Sequence, residues 1–151
     1  MNNKYYTVCG IVEIEDKILL VRHTYGNAKN RILLPGGFVQ ENELPTIAIE
    51  REIFEETNIT ANAKSIIAVQ FKPEQWCAVF LMEYISGTPK SDGFENSEVL
   101  LLSPEEAVKR NDITNMSREI IKAYINDNVQ LAKSDYVPVS SNKDNYVIFG
   151  V

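Results

Sequence analysis

The chain has 151 residues, 44% hydrophobic and 24% charged, with 15 basic against 21 acidic residues and a net charge of −6. That length suits one domain that can bury a core without metal or disulfide staples, and the composition excludes wholesale disorder. No apolar run approaches the roughly 18 residues of a membrane span, the first six residues lack an apolar signal stretch, and no basic run offers the face that tight non-specific nucleic-acid binding needs. Together these features read as a cytoplasmic protein with no membrane partner.

Residues 5–15 are rich in β-forming side chains, and a turn at Asp16-Lys17 leads into residues 17–22; the two segments predict a hairpin. Residues 25–30 read as a polar loop and residues 31–34 as a short strand, stopped by Pro35-Gly36-Gly37. Helix formers fill residues 44–57, with Pro45 in the first turn, where its missing N–H costs little. Two strands are expected at 63–71 and 75–85, split by Lys72-Pro73-Glu74, and a loop at 87–96 precedes a short strand at 97–102. Ser103-Pro104 caps and opens a helix to about Arg110. A last amphipathic helix at about 115–126 presents Ile120, Ile121, Tyr124 and Ile125. The polar tail from residue 128 ends in Tyr146-Val147-Ile148-Phe149, apolar enough to dock. Cys9 and Cys77 lie inside apolar strand-like segments and read as packed thiols rather than a disulfide or metal pair. Mixed strands with flanking helices make residues 1–151 a single α/β or α+β domain, with 128–151 as a C-terminal extension.

The charge is concentrated. Residues 41–56 hold Glu41, Glu43, Glu50, Glu52, Glu55 and Glu56 against Arg51 alone, a net −5 in sixteen residues. On a helix turning about 100° per residue, Glu52, Glu55 and Glu56 share one face and repel by a few tenths of a kcal/mol per pair. Such an arrangement makes sense around a hard divalent cation, Mg2+ or Mn2+, which takes carboxylates, waters and substrate phosphates. A solvated acidic face is the plain alternative. Ile47 with Phe54, and Ile49 with Ile53, form apolar stripes expected to flank the acidic face. Arg51 can pair with Glu55 one turn on, or with Glu43 at the helix entrance.

Gly37, five residues, Glu43, seven residues and then Arg51-Glu52-Ile53-Phe54-Glu55-Glu56-Thr57-Asn58-Ile59 resembles the Nudix box, G-x5-E-x7-R-E-U-x-E-E-x-G-U with U a bulky aliphatic. Six fixed positions match, a coincidence expected on the order of once per million windows at ordinary residue usage. Leu33-Leu34-Pro35-Gly36-Gly37 also looks like the family's strand-to-loop entry. Asn58 stands where the box has its last glycine, and Asn42 where glycine often precedes the first glutamate. Asparagine is among the residues that best tolerate positive φ, so the geometry is expected to survive. Gln40, where many members carry glutamate, is a smaller departure.

The resemblance implies a Nudix-type α/β/α sandwich with a mixed β-sheet. It also implies Mg2+-dependent hydrolysis, with Mn2+ as a substitute, of the pyrophosphate bond of a nucleoside diphosphate linked to another moiety. The substrate would be a nucleoside triphosphate, a nucleotide sugar or a compound of the ADP-ribose type. By the family pattern Glu52, Glu55 and Glu56 bind metal with the backbone carbonyl of Gly36, while Gly37 and Glu43 are structural. Glu52 is taken as the base, with Glu55 and Arg51 completing the catalytic set. Glu98, just before Val99-Leu100-Leu101-Leu102, is taken as fourth ligand or alternative base; an exposed loop acid is its bland counterpart. Arg22 and Arg31 flank the loop before the box and are the candidate substrate contacts, though ordinary surface arginines fit as well. Trp76, Tyr84 and Phe38 suit either base stacking or the core, and His23 reads as a loop residue. The expected partner is a small nucleotide rather than RNA, and a homodimer stays open. Two rivals are a Nudix-like sensor that binds a nucleotide without cleaving it and a plain interaction domain with an acidic helix.

Overall fold

β1 (Tyr5–Ile14) and β2 (Lys17–His23) form a hairpin turned by Glu15 and Asp16, whose φ angles are 50° and 66°. Left-handed backbone at both turn residues is the geometry that matches strand twist. The computed structural model describes residues 5–127 and 130–151; residues 1–4, and 128–129 at the start of the C-terminal extension, lie outside it. β3 (Ile32–Leu33) and β4 (Gly36–Phe38) follow, then α1 (Pro45–Thr57), β5 (Thr60–Phe71), β6 (Gln75–Ser86) and β7 (Asn96–Leu102). α2 (Pro104–Lys109), α3 (Asn115–Ile125) and β8 (Leu131–Ala132) complete the chain.

The strands lie in the order β3-β2-β1-β6-β5-β8, with β4 beside β1 and β7 beside β2. β1 runs parallel to β6 and the other pairings are antiparallel, so the sheet is mixed. Pro35-Gly36-Gly37 does not end the strand region as the sequence suggests. Gly36 and Gly37 form β4 against Cys9 and Val8 of β1. A Cβ on Gly36 would lie 2.1 Å from the Val8 carbonyl oxygen, so only glycine lets the strands meet there.

Alternation along β1 sends Val8 and Val12 to one core and Cys9 and Ile11 to another. The first core takes Ala48, Ile49 and Ile53 of α1 with Phe80 of β6; the second takes Ala107 of α2 with Ile120 and Ile121 of α3. Helices therefore cover the sheet system on both sides, as the α/β/α expectation requires. Ile47 and Phe54 depart from expectation: they are 51% and 54% exposed, and Ile49 with Ile53 alone carries the packed stripe. The capping box of α2 forms as Ser103 accepts from the Glu106 amide and Glu106 from the Ser103 amide. Along the tail, β8 pairs with β5 and Phe149 packs on the first core, its ring 5.7 Å from that of Phe80. Among the described residues no helix is long and apolar enough to cross a membrane.

Candidate active site

Glu56 continues the buried stripe of Ile49 and Ile53 into the last turn of α1, and it is only 2% exposed. Buried with a carboxylate, it meets Glu52 of the same helix and Glu95 of the loop before β7. One oxygen from each of the three lies within 4.8 Å of the others. Burial first, and then the charges of Glu52 and Glu95, push the Glu56 carboxyl up to about 9, against the opposing pull of the Gly36 amide. Its Oε2 is buried without a hydrogen-bond partner. A buried acceptor of this kind is costly unless something positive meets it. Burial also raises the Glu52 carboxyl, with Arg51 opposing.

Arg51 organises the helix entrance. Its Nε donates to Glu43 Oε2 at 2.8 Å and its Nη2 to Glu43 Oε1 at 2.9 Å, a two-pronged pair. Nη1 reaches Glu52 Oε1 at 2.9 Å and Glu55 Oε2 at 3.2 Å, while Nη2 also donates to the Phe38 carbonyl at 3.0 Å. These contacts hold the Arg51 guanidinium above, and the Glu43 carboxyl below, their ordinary values. Glu43 in turn accepts from the Gln40 amide at 3.0 Å, which closes the loop onto the helix. Gly37 is packed flat against this network: a Cβ there would lie 2.4 Å from the Glu52 carboxyl carbon. Asn42 and Asn58 both adopt left-handed backbone, with φ of 61° and 65°. Asn58 caps α1 through its N–H to Phe54 and donates its side-chain amide to Thr88.

Several sequence-predicted residues fall elsewhere. Glu55 faces Arg51 with a half-exposed side chain, apart from the cluster of Glu52, Glu56 and Glu95. Glu98 sits on β7 opposite Arg22 and accepts from its Nε at 2.9 Å, so the loop acid in the cluster is Glu95 rather than Glu98. Arg22 also donates to Asp112 and to the Asn30 carbonyl, and Arg31 donates to the Ile113 carbonyl at 2.7 Å. Both arginines are thus tied to the protein's own chain. Trp76 packs against Tyr6 with the rings tilted by 45°, and Phe38 is 57% exposed. His23 ends β2 rather than lying in the loop, and its ring stacks on Tyr25 at 5.3 Å.

Glu95 is positioned by a loop that the sequence does not advertise. The Asp92 carboxylate accepts from the amides of Phe94 and Asn96, and Thr24 donates from its amide to the Glu95 carbonyl and from its hydroxyl to the Phe94 carbonyl. Fully buried Asn96 donates its side-chain amide to the Glu56 carbonyl at 2.9 Å, docking this loop on the end of α1. An Asp92-Gly93 turn followed by Glu95 and Asn96 was the available signal. Beside the carboxylates opens a cleft of about 270 Å3, whose walls include Thr7, Cys9, His23, Gly36, Gly37 and Cys77.

A NUDIX domain family model matches residues 4–124, so the chain belongs to the NUDIX family. Over 90 residues it is 36% identical to an ADP-ribose pyrophosphatase of Methanocaldococcus jannaschii, covering 56% of this chain and 53% of that one. The chain thus spans about half the length of this curated relative. A crystal structure of a NUDIX hydrolase from Nitrosomonas europaea superposes with a TM-score of 0.75 at 27% identity, over 83% of this chain and 72% of that one. A bifunctional NMN adenylyltransferase/ADP ribose pyrophosphatase from Francisella tularensis, complexed with AMP and Mn ion, gives 0.71 at 25% identity, over 83% and 42%.

Proposed function

We propose that the chain hydrolyses the pyrophosphate bond of a nucleoside diphosphate linked to another moiety, with ADP-ribose the first substrate to test and Mg2+ the cofactor. The observation that carries this reading is the orphaned, buried Glu56 oxygen within a cluster of three carboxylates beside a cleft. Hard divalent cations match that donor set. The kinship with an ADP-ribose pyrophosphatase, and the AMP and Mn ion in the Francisella protein's complex, support both the substrate class and the metal.

In this reading Glu52, Glu56 and Glu95 would hold the ion with the Gly36 carbonyl, Glu95 taking the place that the sequence assigns to Glu98, and Glu55 would join them by turning from Arg51. A bound Mg2+ supplies charge neutralisation of the diphosphate and a more acidic water. Glu52 accepts the proton of the attacking water, and Arg51 fixes the Glu52 carboxylate as its hydrogen-bonded neighbour. Glu43 holds Arg51 in turn. The cleft beside Gly36 and Gly37 receives the nucleoside, which leaves the diphosphate over the carboxylates.

A hydrolysis panel with and without Mg2+ tests the proposal, with ADP-ribose, nucleotide sugars, nucleoside triphosphates and dinucleoside polyphosphates, and products read by mass spectrometry. Metal-dependent cleavage that disappears in Glu55→Gln/Glu56→Gln protein is expected. Comparing Glu52→Gln, Glu95→Gln and Glu98→Gln separates base from ligand: full activity in Glu95→Gln with none in Glu98→Gln would reverse the assignment. Silence across the panel, with a nucleotide still raising the melting temperature, would favour the sensor.

A further inference from the structure

Two cysteines that the hydrolytic chemistry does not use face the same cleft. Cys9 stands on β1 and Cys77 on the neighbouring parallel strand β6, in a register that pairs Thr7 with Cys77 and Cys9 with Val79. Their side chains leave the same face of the sheet and bring the sulfurs to 3.9 Å, the reach of an S–H···S contact. Both are free thiols; Cys77 is 6% exposed and Cys9 is partly exposed. The cleft lined by both has room for a small oxidant, with a volume of about 270 Å3.

We infer that Cys77 and Cys9 form an oxidisable dithiol in the wall of this cleft, which reacts with a hydroperoxide to close an intramolecular disulfide. The Cys77 sulfur attacks one peroxide oxygen and the O–O bond breaks. Cys77 becomes a sulfenic acid, and the alcohol, or water from hydrogen peroxide, leaves with the thiol proton. The Cys9 sulfur then attacks the Cys77 sulfur and expels hydroxide, which departs as water with the Cys9 proton. Two thiols lose two electrons and the peroxide gains them. Both sulfurs line the cleft and Cys77 donates to Cys9, so the same two steps balance with the roles of the two cysteines exchanged. Closing the bond draws the sulfurs from 3.9 Å to about 2.05 Å. The cysteines are diagonal neighbours, since Thr7 pairs with Cys77 and Cys9 with Val79, so β1 and β6 must also shift locally toward each other as the bond closes.

Reduced protein is treated with hydrogen peroxide and followed by free-thiol titration, intact mass and peptide mapping. Loss of both thiols, a mass lower by about 2 Da, a Cys9–Cys77 linked peptide and recovery with dithiothreitol are expected. Cys9→Ser and Cys77→Ser should each accumulate a sulfenic acid on the remaining cysteine that a cyclic 1,3-dione traps, with no intramolecular link. Two thiols that persist in folded protein, or links found only between molecules, would overturn the inference. Since the cleft receives the nucleoside in the function proposed above, oxidation should also shrink the thermal shift given by ADP-ribose with Mg2+. That consequence rests on the proposed function, and the two fail separately. A reduced protein with no nucleotide shift and no hydrolysis sinks the function, whereas an absent disulfide sinks the inference whatever the nucleotide does.

Discussion

At the scale of single residues, Glu56 makes the sharpest statement because one carboxyl links burial, metal and pH. In the unfolded chain it ionises near its ordinary 4.5, and in the folded, metal-free chain only near 9. A folded-state value raised above the unfolded one leaves stability whole below about 4.5 and erodes it as pH rises toward 9. Calorimetry in a chelator should therefore find the melting temperature falling between pH 5 and 9, and Glu56→Gln should flatten that slope. At pH 8 the variant should be more stable than the metal-free parent by several kcal/mol at most, because folding the parent there must protonate a carboxyl that is ionised in the unfolded chain, yet it should lose the Mg2+-induced shift. A parent protein with flat stability over this range would contradict the buried acid. Gly37 offers the steric counterpart. Alanine there places a carbon 2.4 Å from the Glu52 carboxyl carbon, so Glu52 must turn away. Gly37→Ala should weaken Mg2+ binding by roughly 10–100-fold, the range seen when a ligand's support is disturbed. A metal titration followed by thermal shift would show it, and unchanged affinity would mean that Glu52 does not need that seat.

At the scale of elements, α1 and the loop before it stand on Arg51. Removing its side chain leaves Glu43 and Glu52, whose side chains are 11% and 12% exposed, without their shared counter-charge. Arg51→Ala should cost about 2–4 kcal/mol in urea denaturation, somewhat below the loss for a fully buried pair. Arg51→Lys should recover less than half, because an ammonium cannot fork onto both Glu43 oxygens. Full rescue by lysine would reduce the network to simple charge. Much of this element was legible: helix spacing offered Arg51 the partners Glu55 and Glu43, and the resemblance to the Nudix box implied the roles of Gly37, Glu43 and Glu52. Glu52, Glu55 and Glu56 of α1 were legible as a group but not in their division. Glu56 extends the Ile49–Ile53 stripe by three residues and is buried with it, whereas Glu55 turns to Arg51. Reading the apolar stripe through to the helix end would have separated them. Ile47 and Phe54 misled because apolar spacing says which residues align, not whether anything packs on them.

At the scale of the whole molecule, the parts hardest to read were those made by closure between distant segments. Glu95 enters the cluster because Thr24, 71 positions earlier, holds its carbonyl, and because Asn96 reaches back to Glu56. Glu98 lies within the β2–β7 ladder opposite Arg22, whereas Glu95 belongs to the turn that Asp92 closes just before β7. The C-terminal extension poses the same problem in reverse, for its apolar end was visible while its seat was not. Phe149 packs on the core side that holds α1, and an apolar cavity of about 470 Å3 remains between the tail and residues such as Pro45, Trp76 and Phe80. β8 adds backbone pairing of Ser65 with Ala132 and Ile66 with Leu131, a short ladder that cannot hold the tail alone. The aromatic anchor should then dominate. Phe149→Ala should cost about 2–3 kcal/mol, below the range for a fully buried phenylalanine because this ring is only partly buried. In a domain of this length that corresponds to a melting temperature lower by roughly 5–10 °C. Limited proteolysis should cut the variant first between residues 133 and 148, while the remainder of the chain resists. An unchanged melting temperature and an unchanged cleavage pattern would show that the tail rests on the domain without stabilising it.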